Sequence, residues 1–241
     1  MPTPDLIHRR QQFAAGAADS LPMLFGAAPF AVIYGTLAMT GGLSWPAALA
    51  MSLLVFAGAS QFIAVSLIAS GAGLPVIAFT TFVVNVRHAL YSATLREHVA
   101  HLGARWRVPL AFGLTDETFA IVQRHYAEPG PATHRHWYYL GSCVAMYVNW
   151  AAWTAVGVWI GRSVAGLEEL GLEFAMAATF TAIVAPLLKK RPAVAAAIAA
   201  GVVALLAHPL PYKLGLMLAA LAGVAVGAWV EHLAASAEER A

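Results

Sequence analysis

The stretch from residue 20 to residue 86 decides the fold: SLPMLFGAAPFAVIYGTLAMTGGLSWPAALAMSLLVFAGASQFIAVSLIASGAGLPVIAFTTFVVNV. These 67 consecutive residues contain no Asp, Glu, Lys, Arg or His. The core of a soluble domain cannot hide so long an uncharged run, whereas lipid-embedded helices of about 20 apolar residues each can contain it. We therefore predict an integral membrane protein built from α-helices.

The overall composition supports this class and excludes others. Of the 241 residues, 60% are hydrophobic and 11% are charged, against roughly 25% charged residues in a soluble domain. The net charge is only +2, and the basic residues lie in short connections, so no nucleic-acid partner is expected. Cys143 is the single cysteine, which excludes a disulfide or a thiolate cluster within the chain. We expect no cofactor and no bound metal.

Apolar segments alternate with Gly/Pro turns and charged connections along the chain. Their lengths predict an all-α fold, a polytopic transmembrane helix bundle with seven or eight spans. Gly and Pro residues within several segments indicate broken or re-entrant helices as an alternative to straight crossings. The eight segments are 21–40, 46–70, 74–95, 109–122, 137–161, 172–188, 193–210 and 214–230.

The chain is expected to form a single membrane domain over residues 1–241. Residues 1–19 are predicted to be a cytoplasmic amphipathic segment, 20–232 the transmembrane bundle and 233–241 a polar tail. With eight spans and a cytoplasmic N-terminus, the excess of Lys and Arg on the cytoplasmic side is weak, since residues 96–107 carry three arginines on the opposite side. This conflict indicates that one segment before that connection is re-entrant.

Polar side chains interrupt the apolar segment 74–95 near its end. An arginine at membrane depth costs about 2.5 kcal/mol or more unless it faces the bundle interior or water, and Arg87 is such a residue. On a helix, Asn85 and His88 share one face, while Arg87 and Tyr91 share a neighbouring one. We interpret these four residues as a polar surface that binds a ligand. The alternative is that Arg87 lies near the interface and extends its charge to water.

The segment 109–122 contains two adjacent carboxylates, Asp116 and Glu117. At membrane depth they would pair with Arg87, accept protons or hold a substrate ammonium group. An equally supported alternative is that the helix begins late, so that Thr115 or Asp116 is a helix N-cap.

The segment 46–70 contains small residues followed by a long amide. Gly58 and Ser60 favour either close helix packing or a break that exposes backbone groups to a ligand, and Gln61 favours the break. Phe56 and Phe62 flank this site. Asn149, in the segment 137–161, either lines the same cavity or forms a hydrogen bond between helices.

Four motifs occur in order: LPMLFGAAPF at 21–30, FAGASQF at 56–62, NVRHALY at 85–91 and GLTDETF at 113–119. Together with the chain length, they resemble the AzlC-type branched-chain amino acid permeases, most clearly over residues 20–120. The resemblance implies a bacterial inner-membrane protein that exports hydrophobic amino acids of the valine, leucine and isoleucine class. It also implies a small membrane partner subunit of the AzlD type.

The leading hypothesis is therefore a secondary transporter and not an enzyme. Arg87 or the N-termini of broken helices would bind the substrate carboxylate, and Asp116, Glu117 or carbonyl groups near Gly58 would bind the ammonium group. Phe56 and Phe62 would face the apolar side chain. Proton coupling through His88 or the acidic pair stays open.

Two other classes of protein are weighed against it. One is a channel for small solutes. The other is an intramembrane serine protease, because Gly58-Ala59-Ser60 is similar to the Gly-x-Ser of such enzymes and His88 would be the base. Gln61 stands where those enzymes have a glycine.

Overall fold

The computed structural model describes residues 4–128, 133–163, 188–210 and 214–238. All regular structure in these ranges is helical, so the predicted all-α fold is confirmed. The predicted segment 172–188 lies outside the described residues, apart from its last position. The helices are α1 Pro4–Asp19, α2 Leu21–Thr40, α3 Trp45–Leu54, α4 Gly58–Ala69, α5 Leu74–Asn85, α6 Arg87–Val99, α7 Ala104–Phe112, α8 Asp116–Ala127, α9 Arg135–Ser163, α10 Arg191–Leu206 and α11 Leu214–Glu238.

The chain divides into two compact units. The first contains Met1–Ala69 and Val84–Leu172, and the second contains Ser70–Val83 and Glu173–Ala241. Among the described residues, three helical stretches are long and apolar enough to cross a membrane: Leu21–Thr40, Leu74–Val99 and Arg135–Ser163.

The first unit is organised around α9, and α2 runs beside it in the same direction. Asn149 Nδ2 donates to the Leu24 carbonyl at 3.2 Å, and further along, a Cβ on Gly35 would lie 2.5 Å from the Thr154 carbonyl. Near the C-terminal end of α9, Gly161 contacts Met39. Small residues thus let two spanning helices approach until their backbones touch.

The segment 46–70 folds as a helical hairpin rather than as one helix. We call α3 and α4, with the break at 55–57, the first hairpin. It begins at the C-terminal end of α9, where Trp45 lies 5.8 Å from the Arg162 guanidinium. It reaches the middle of α9, where Tyr147 donates to the Leu53 carbonyl at 3.0 Å. It then returns, because Ala69 lies beside Gly41 at the end of α2.

The segment 109–122 also differs from a single apolar helix. It belongs to a second hairpin, made of α7 and α8 with a break at 113–115. This hairpin begins at the N-terminal end of α9, where the Trp106 ring lies 4.9 Å from Trp137. It also ends there, since Arg135 donates to the Tyr126 carbonyl at 3.3 Å. The prediction of one continuous apolar segment is wrong here because Gly113 and the N-capping Thr115 interrupt it.

The two hairpins enter the first unit from opposite ends of α9. Their limbs match in length, with 10 and 12 residues in the first hairpin and 9 and 12 in the second. Re-entrant helices of opposite direction are typical of transporters with inverted repeats. The expectation of a re-entrant segment before the connection 96–107 agrees with the first hairpin. That connection consequently lies with Trp106 at the same end of α9 as Arg135, and not at the opposite end.

In the second unit, α10 and α11 pack against each other through small residues. A Cβ on Gly223 would lie 3.1 Å from the Ala196 carbonyl and a Cβ on Gly227 would lie 3.1 Å from the Ala196 side chain. The Gly-x-x-x-Gly pattern of α11 therefore serves contact within the chain.

Candidate functional site

The candidate site lies where two helix breaks and the α5/α6 junction come together. The first residue of α8, Asp116, follows the break of the second hairpin, and Ser60 lies in the first turn of α4, just after the break of the first hairpin. Val86 separates α5 from α6, so that Asn85 ends one helix and Arg87 begins the next. Discontinuous helices present side chains and helix ends to a common point, which is how many transporters build their binding sites.

The N-terminus of α8 is fixed by its own sequence. The Thr115 hydroxyl accepts a hydrogen bond from the Thr118 backbone N–H at 3.3 Å, as an N-cap does. Acidic residues in the first turn interact favourably with the positive end of the helix dipole. The N-cap interpretation of Thr115 is therefore correct, and it places Asp116 and Glu117 at the tip of the second hairpin.

An ion pair connects this tip to α6. Arg87 Nη2 lies 3.0 Å from Asp116 Oδ2, and the side chains are 32% and 42% exposed. The other carboxylate oxygen of Asp116 accepts from the Tyr91 hydroxyl at 2.8 Å. Tyr91 is itself held by its ring, which stacks on Phe119 with centroids 4.3 Å apart. Both oxygens of Asp116 are thus oriented by one face of α6.

The ion pair with Asp116 does not use the Nε–H group of Arg87. Within the part of the chain that the structure describes, its Nε atom is buried and has no hydrogen-bond partner. Buried donors are nearly always paired, and one left unpaired costs about 1–3 kcal/mol. A planar guanidinium binds a carboxylate through two parallel N–H groups. The unpaired Nε therefore indicates that Arg87 can donate a hydrogen bond to a further oxygen ligand.

A second set of contacts surrounds the α5/α6 junction. The Ser60 hydroxyl donates to Asn85 Oδ1 at 2.7 Å, which connects the tip of the first hairpin to the end of α5. His88 Nδ1 lies 3.1 Å from the Asn85 backbone oxygen, and its ring contacts Tyr91 edge to face at 5.8 Å. Six residues predicted from sequence are thereby brought together. They are Ser60, Asn85, Arg87, His88, Tyr91 and Asp116.

Gln61, by contrast, belongs to a buried structural network. Its Nε2 donates to Ser52 Oγ at 3.0 Å, and its Oε1 accepts from Trp150 Nε1 at 3.1 Å. Ser52 also bonds Thr154 at 2.9 Å. Gln61 is 0% exposed, so its amide is satisfied by protein and is not presented to a ligand.

The remaining predicted residues divide between packing and the hairpin tip. Gly58 contacts the Trp150 ring so closely that a Cβ would lie 2.9 Å from it. Phe62 is buried against Tyr34, with ring centroids 5.9 Å apart. Asn149 forms the bond between α9 and α2 described above. These three residues therefore hold helices together and do not join the cluster around Asp116.

Phe56 lies at the tip of the first hairpin, beside two aromatic residues that the sequence analysis missed as site residues. Its ring centroid is 6.0 Å from that of Phe112 and 5.0 Å from that of Tyr147. Phe119, stacked on Tyr91, was missed as well. Phe112 and Phe119 flank the polar motif at 113–118, and this adjacency was the available signal.

The contacts of Ser60 argue against a protease. A serine nucleophile transfers its proton to a base, whereas the Ser60 hydroxyl donates to the amide oxygen of Asn85. The hydrogen bond between Ser60 and Asn85 connects α4 to the end of α5.

Comparison with known proteins places this arrangement in a family. The model of the family described as "AzlC protein" matches residues 22–164. An uncharacterized membrane protein of Archaeoglobus fulgidus is 33% identical over 92% of this chain and 97% of its own length. The inner membrane protein YgaZ of Escherichia coli is 31% identical over 66% of this chain and 65% of its own.

A further relative is named for its function. The branched-chain amino acid transport protein AzlC of Bacillus subtilis is 30% identical over 71% of this chain and 66% of its own length. No solved structure matches the chain. Because the family match includes α2, both hairpins and α9, with all residues of the ion-pair cluster, the chain belongs to the AzlC family of membrane transport proteins.

Proposed function

We propose that this protein exports branched-chain and other hydrophobic amino acids of the valine, leucine and isoleucine class across the bacterial inner membrane. The observation that carries the proposal is the Arg87–Asp116 ion pair at the meeting point of the helix breaks. A zwitterionic amino acid presents one carboxylate and one ammonium group. The site holds one cation and one anion of matching chemistry.

In the proposed binding step, the substrate replaces the Arg87–Asp116 ion pair by one ion pair with each of these two residues. The substrate carboxylate takes the guanidinium of Arg87, including its unpaired Nε, and the substrate ammonium takes the carboxylate of Asp116. The pair and the zwitterion are each neutral, so binding adds no net charge to the site. Burying charges is costly unless they are paired, and this exchange keeps every charge paired.

The helix ends support the same assignment. The first turn of α4, Gly58–Ser60, carries no acidic residue, so the positive end of its dipole favours a substrate carboxylate nearby. In α8 the corresponding turn already holds Asp116 and Glu117. The first hairpin therefore suits the carboxylate, and the second suits the ammonium group.

We infer a cytoplasmic N-terminus from the distribution of basic residues. In the first unit, Arg105, Arg107 and Arg135 lie at the N-terminal end of α9, the end at which His134 pairs with Asp5 of α1. Arg162 lies at the opposite end. Arginine-rich connections stay on the cytoplasmic side. The conflict created by residues 96–107 therefore disappears.

A small AzlD-type membrane subunit completes the proposal, and the family resemblance is its support. The Gly223 and Gly227 face of α11 packs on α10, so the partner would contact other surfaces of the chain. The outer faces of these helices expose Leu205 and Val224, at 79% and 71%.

Efflux measurements test the proposed function. Cells preloaded with labelled valine, leucine, isoleucine or methionine should lose label faster when this chain and the small subunit are present together. Saturable exchange of labelled for unlabelled substrate distinguishes a carrier from a channel, which is the alternative. If reconstituted vesicles with both subunits show no saturable flux of any of these amino acids, the proposal fails.

A further inference from the structure

The tips of the two hairpins meet in an aromatic cluster. Phe56 comes from the first hairpin, Phe112 from the second and Tyr147 from the middle of α9. The ring centroids of Phe56 and Phe112 are 6.0 Å apart, those of Phe56 and Tyr147 are 5.0 Å apart, and those of Phe112 and Tyr147 are 5.8 Å apart. The three rings therefore form one continuous apolar surface.

The backbone of Phe56 is held in an unfavourable conformation. Its φ angle is +45°, in the left-handed region that bulky L-residues avoid because Cβ approaches the carbonyl oxygen. Strained residues persist where the surroundings enforce them, and they cluster at ligand sites and switch regions. The Phe56 ring is only 5% exposed. The packing of the Phe56 ring against Phe112 and Tyr147 therefore holds the Phe56 backbone in its strained conformation.

The other two rings differ in how they are held. The Tyr147 hydroxyl donates to the Leu53 carbonyl at 3.0 Å, which fixes its ring at the end of α3. Phe112 is 47% exposed, so about half of its surface is accessible. A ligand side chain can therefore contact Phe112 directly while Phe56 and Tyr147 close the surface behind it.

The cluster adjoins the charged groups through both breaks. Phe112 precedes Asp116 by four residues across the break at 113–115, and Phe56, within the break at 55–57, precedes Ser60 by four residues. Each tip thus carries one aromatic ring and one polar group of the site. A hydrophobic amino acid has the same division, with charged groups at the α-carbon and an apolar side chain beside them.

We propose that Phe112, Tyr147 and Phe56 form the subsite for the apolar side chain of the substrate, and that Phe112 sets the size of side chain that is exported. This inference rests on the proposed function. An apolar pocket discriminates by about 10- to 200-fold for each methylene that fits or fails to fit. Shortening Phe112 therefore favours larger substrates.

The test compares Phe112→Ala, Phe112→Leu and the parent in exchange of labelled valine, leucine and phenylalanine. We expect the ratio of phenylalanine to valine transport to rise about tenfold or more in Phe112→Ala, and to rise less in Phe112→Leu. Phe25→Ala is the matched control, because Phe25 is 78% exposed on α2 and its loss should leave the ratio unchanged.

Tyr147→Phe provides a second measurement, since it keeps the ring and removes only the bond to Leu53. It should keep the order of substrate preference. If Phe112→Ala does not express, the substrate preference of Phe112→Leu is used in its place. The rise in melting temperature that each amino acid gives the purified variant is then measured as a second indicator of preference. An unchanged substrate order in a transporting Phe112 variant overturns the inference and leaves the proposed function intact. Absence of exchange in the parent overturns both.

Discussion

Arg87 and Asp116 pair across the starts of two helices, with Nη2 and Oδ2 3.0 Å apart. Arg87 is the first residue of α6 and Asp116 the first residue of α8. The distance between Arg87 and Asp116 changes when the second hairpin moves relative to α6. The pair therefore depends on the position of the second hairpin.

Two substitutions of Arg87 distinguish the contribution of its positive charge from that of its planar guanidinium group. Arg87→Lys keeps the positive charge and loses the planar fork that matches a carboxylate. We expect it to express normally and to lose more than tenfold in transport. Arg87→Ala should also lower the stability by about 1.5–3 kcal/mol, the value of a charge-assisted hydrogen bond. The partial exposure of both side chains keeps this cost below that of a fully buried pair.

The double variant Arg87→Ala with Asp116→Ala shows which role dominates. A structural pair predicts that expression recovers when both charges are removed, while transport stays low. Separate contacts of the two residues with the substrate predict instead that neither expression nor transport recovers in the double variant. Parent-level export by Arg87→Ala would mean that Arg87 extends to the interface and contributes nothing to the site.

Tyr91 is expected to act as a positioning residue for Asp116. Tyr91→Phe removes the 2.8 Å bond to the carboxylate and keeps the stack on Phe119. Loss of one such bond is worth about 0.5–1.5 kcal/mol, so the apparent KM should rise by roughly two- to tenfold with little change in expression. Tyr138→Phe is the matched control, because Tyr138 bonds Asp19 in the same way. An equal rise in KM in both variants would contradict a local role for Tyr91.

Gln61 should prove structural rather than substrate-binding. Gln61→Leu removes two hydrogen bonds at a fully buried position, one with Trp150 Nε1 and one with Ser52 Oγ, while Trp150 keeps its 3.2 Å bond to Ser52. The expected cost is about 1–3 kcal/mol, seen as a lower melting temperature in detergent. Substrate preference should not change. Thr94→Ala changes an exposed threonine whose hydroxyl donates to the Leu90 carbonyl of its own helix, so this variant should melt like the parent. A normal melting temperature with altered substrate affinity in Gln61→Leu would return Gln61 to the binding site.

The sequence was sufficient to predict the class of fold and much of the polar cluster. An uncharged run of 67 residues predicts lipid-embedded helices. A charge directly after it, on Arg87, needs a partner at membrane depth, so Asp116 was among the alternatives. The partner of a particular amide was beyond prediction. Gln61 and Asn149 have the same chemistry whether they face a ligand or another helix, and only the positions of Trp150 and Leu24 decide.

The two hairpins were harder to foresee for a physical reason. Apolar residues 46–70 are long enough for a full crossing, and hydropathy does not record that a chain reverses at Phe56. The signal lay in the arginines of residues 96–107, whose side of the membrane depends on how many segments cross before them. Charge asymmetry thus carried topological information that segment length did not.

Close packing of α2 on α9 gives a prediction with an internal control. Gly35→Ala would place a methyl group 2.5 Å from the Thr154 carbonyl, so the two spans must move apart. Overpacking of this kind typically costs about 1–3 kcal/mol. Gly26→Ala lies on the same helix, no atom of the described residues comes within 4 Å of the added Cβ, and alanine is the better helix former. Fluorescence-detected size exclusion after heating should show loss of stability in the first variant alone, and equal behaviour would contradict the packing of α2 on α9.

The hairpin topology itself can be tested by cysteine labelling from one side of the membrane. In a Cys143→Ala background, Thr40→Cys places a thiol at the end of α2 and Arg105→Cys places one at the start of α7. Both positions are exposed. With the first hairpin re-entrant, they lie at opposite ends of α9, because Thr40 follows Met39 beside Gly161, and Arg105 precedes Trp106 beside Trp137.

A membrane-impermeant thiol reagent added to intact cells should therefore label Thr40→Cys only, and Arg105→Cys should react after the membrane is opened. Eight straight crossings would put both positions on the same side, since two spans would separate them. Labelling of both thiols in intact cells would thus refute the re-entrant hairpin. Labelling of Arg105→Cys alone would keep the hairpin and reverse the orientation, because only the assignment of arginine-rich connections to the cytoplasm would then be wrong.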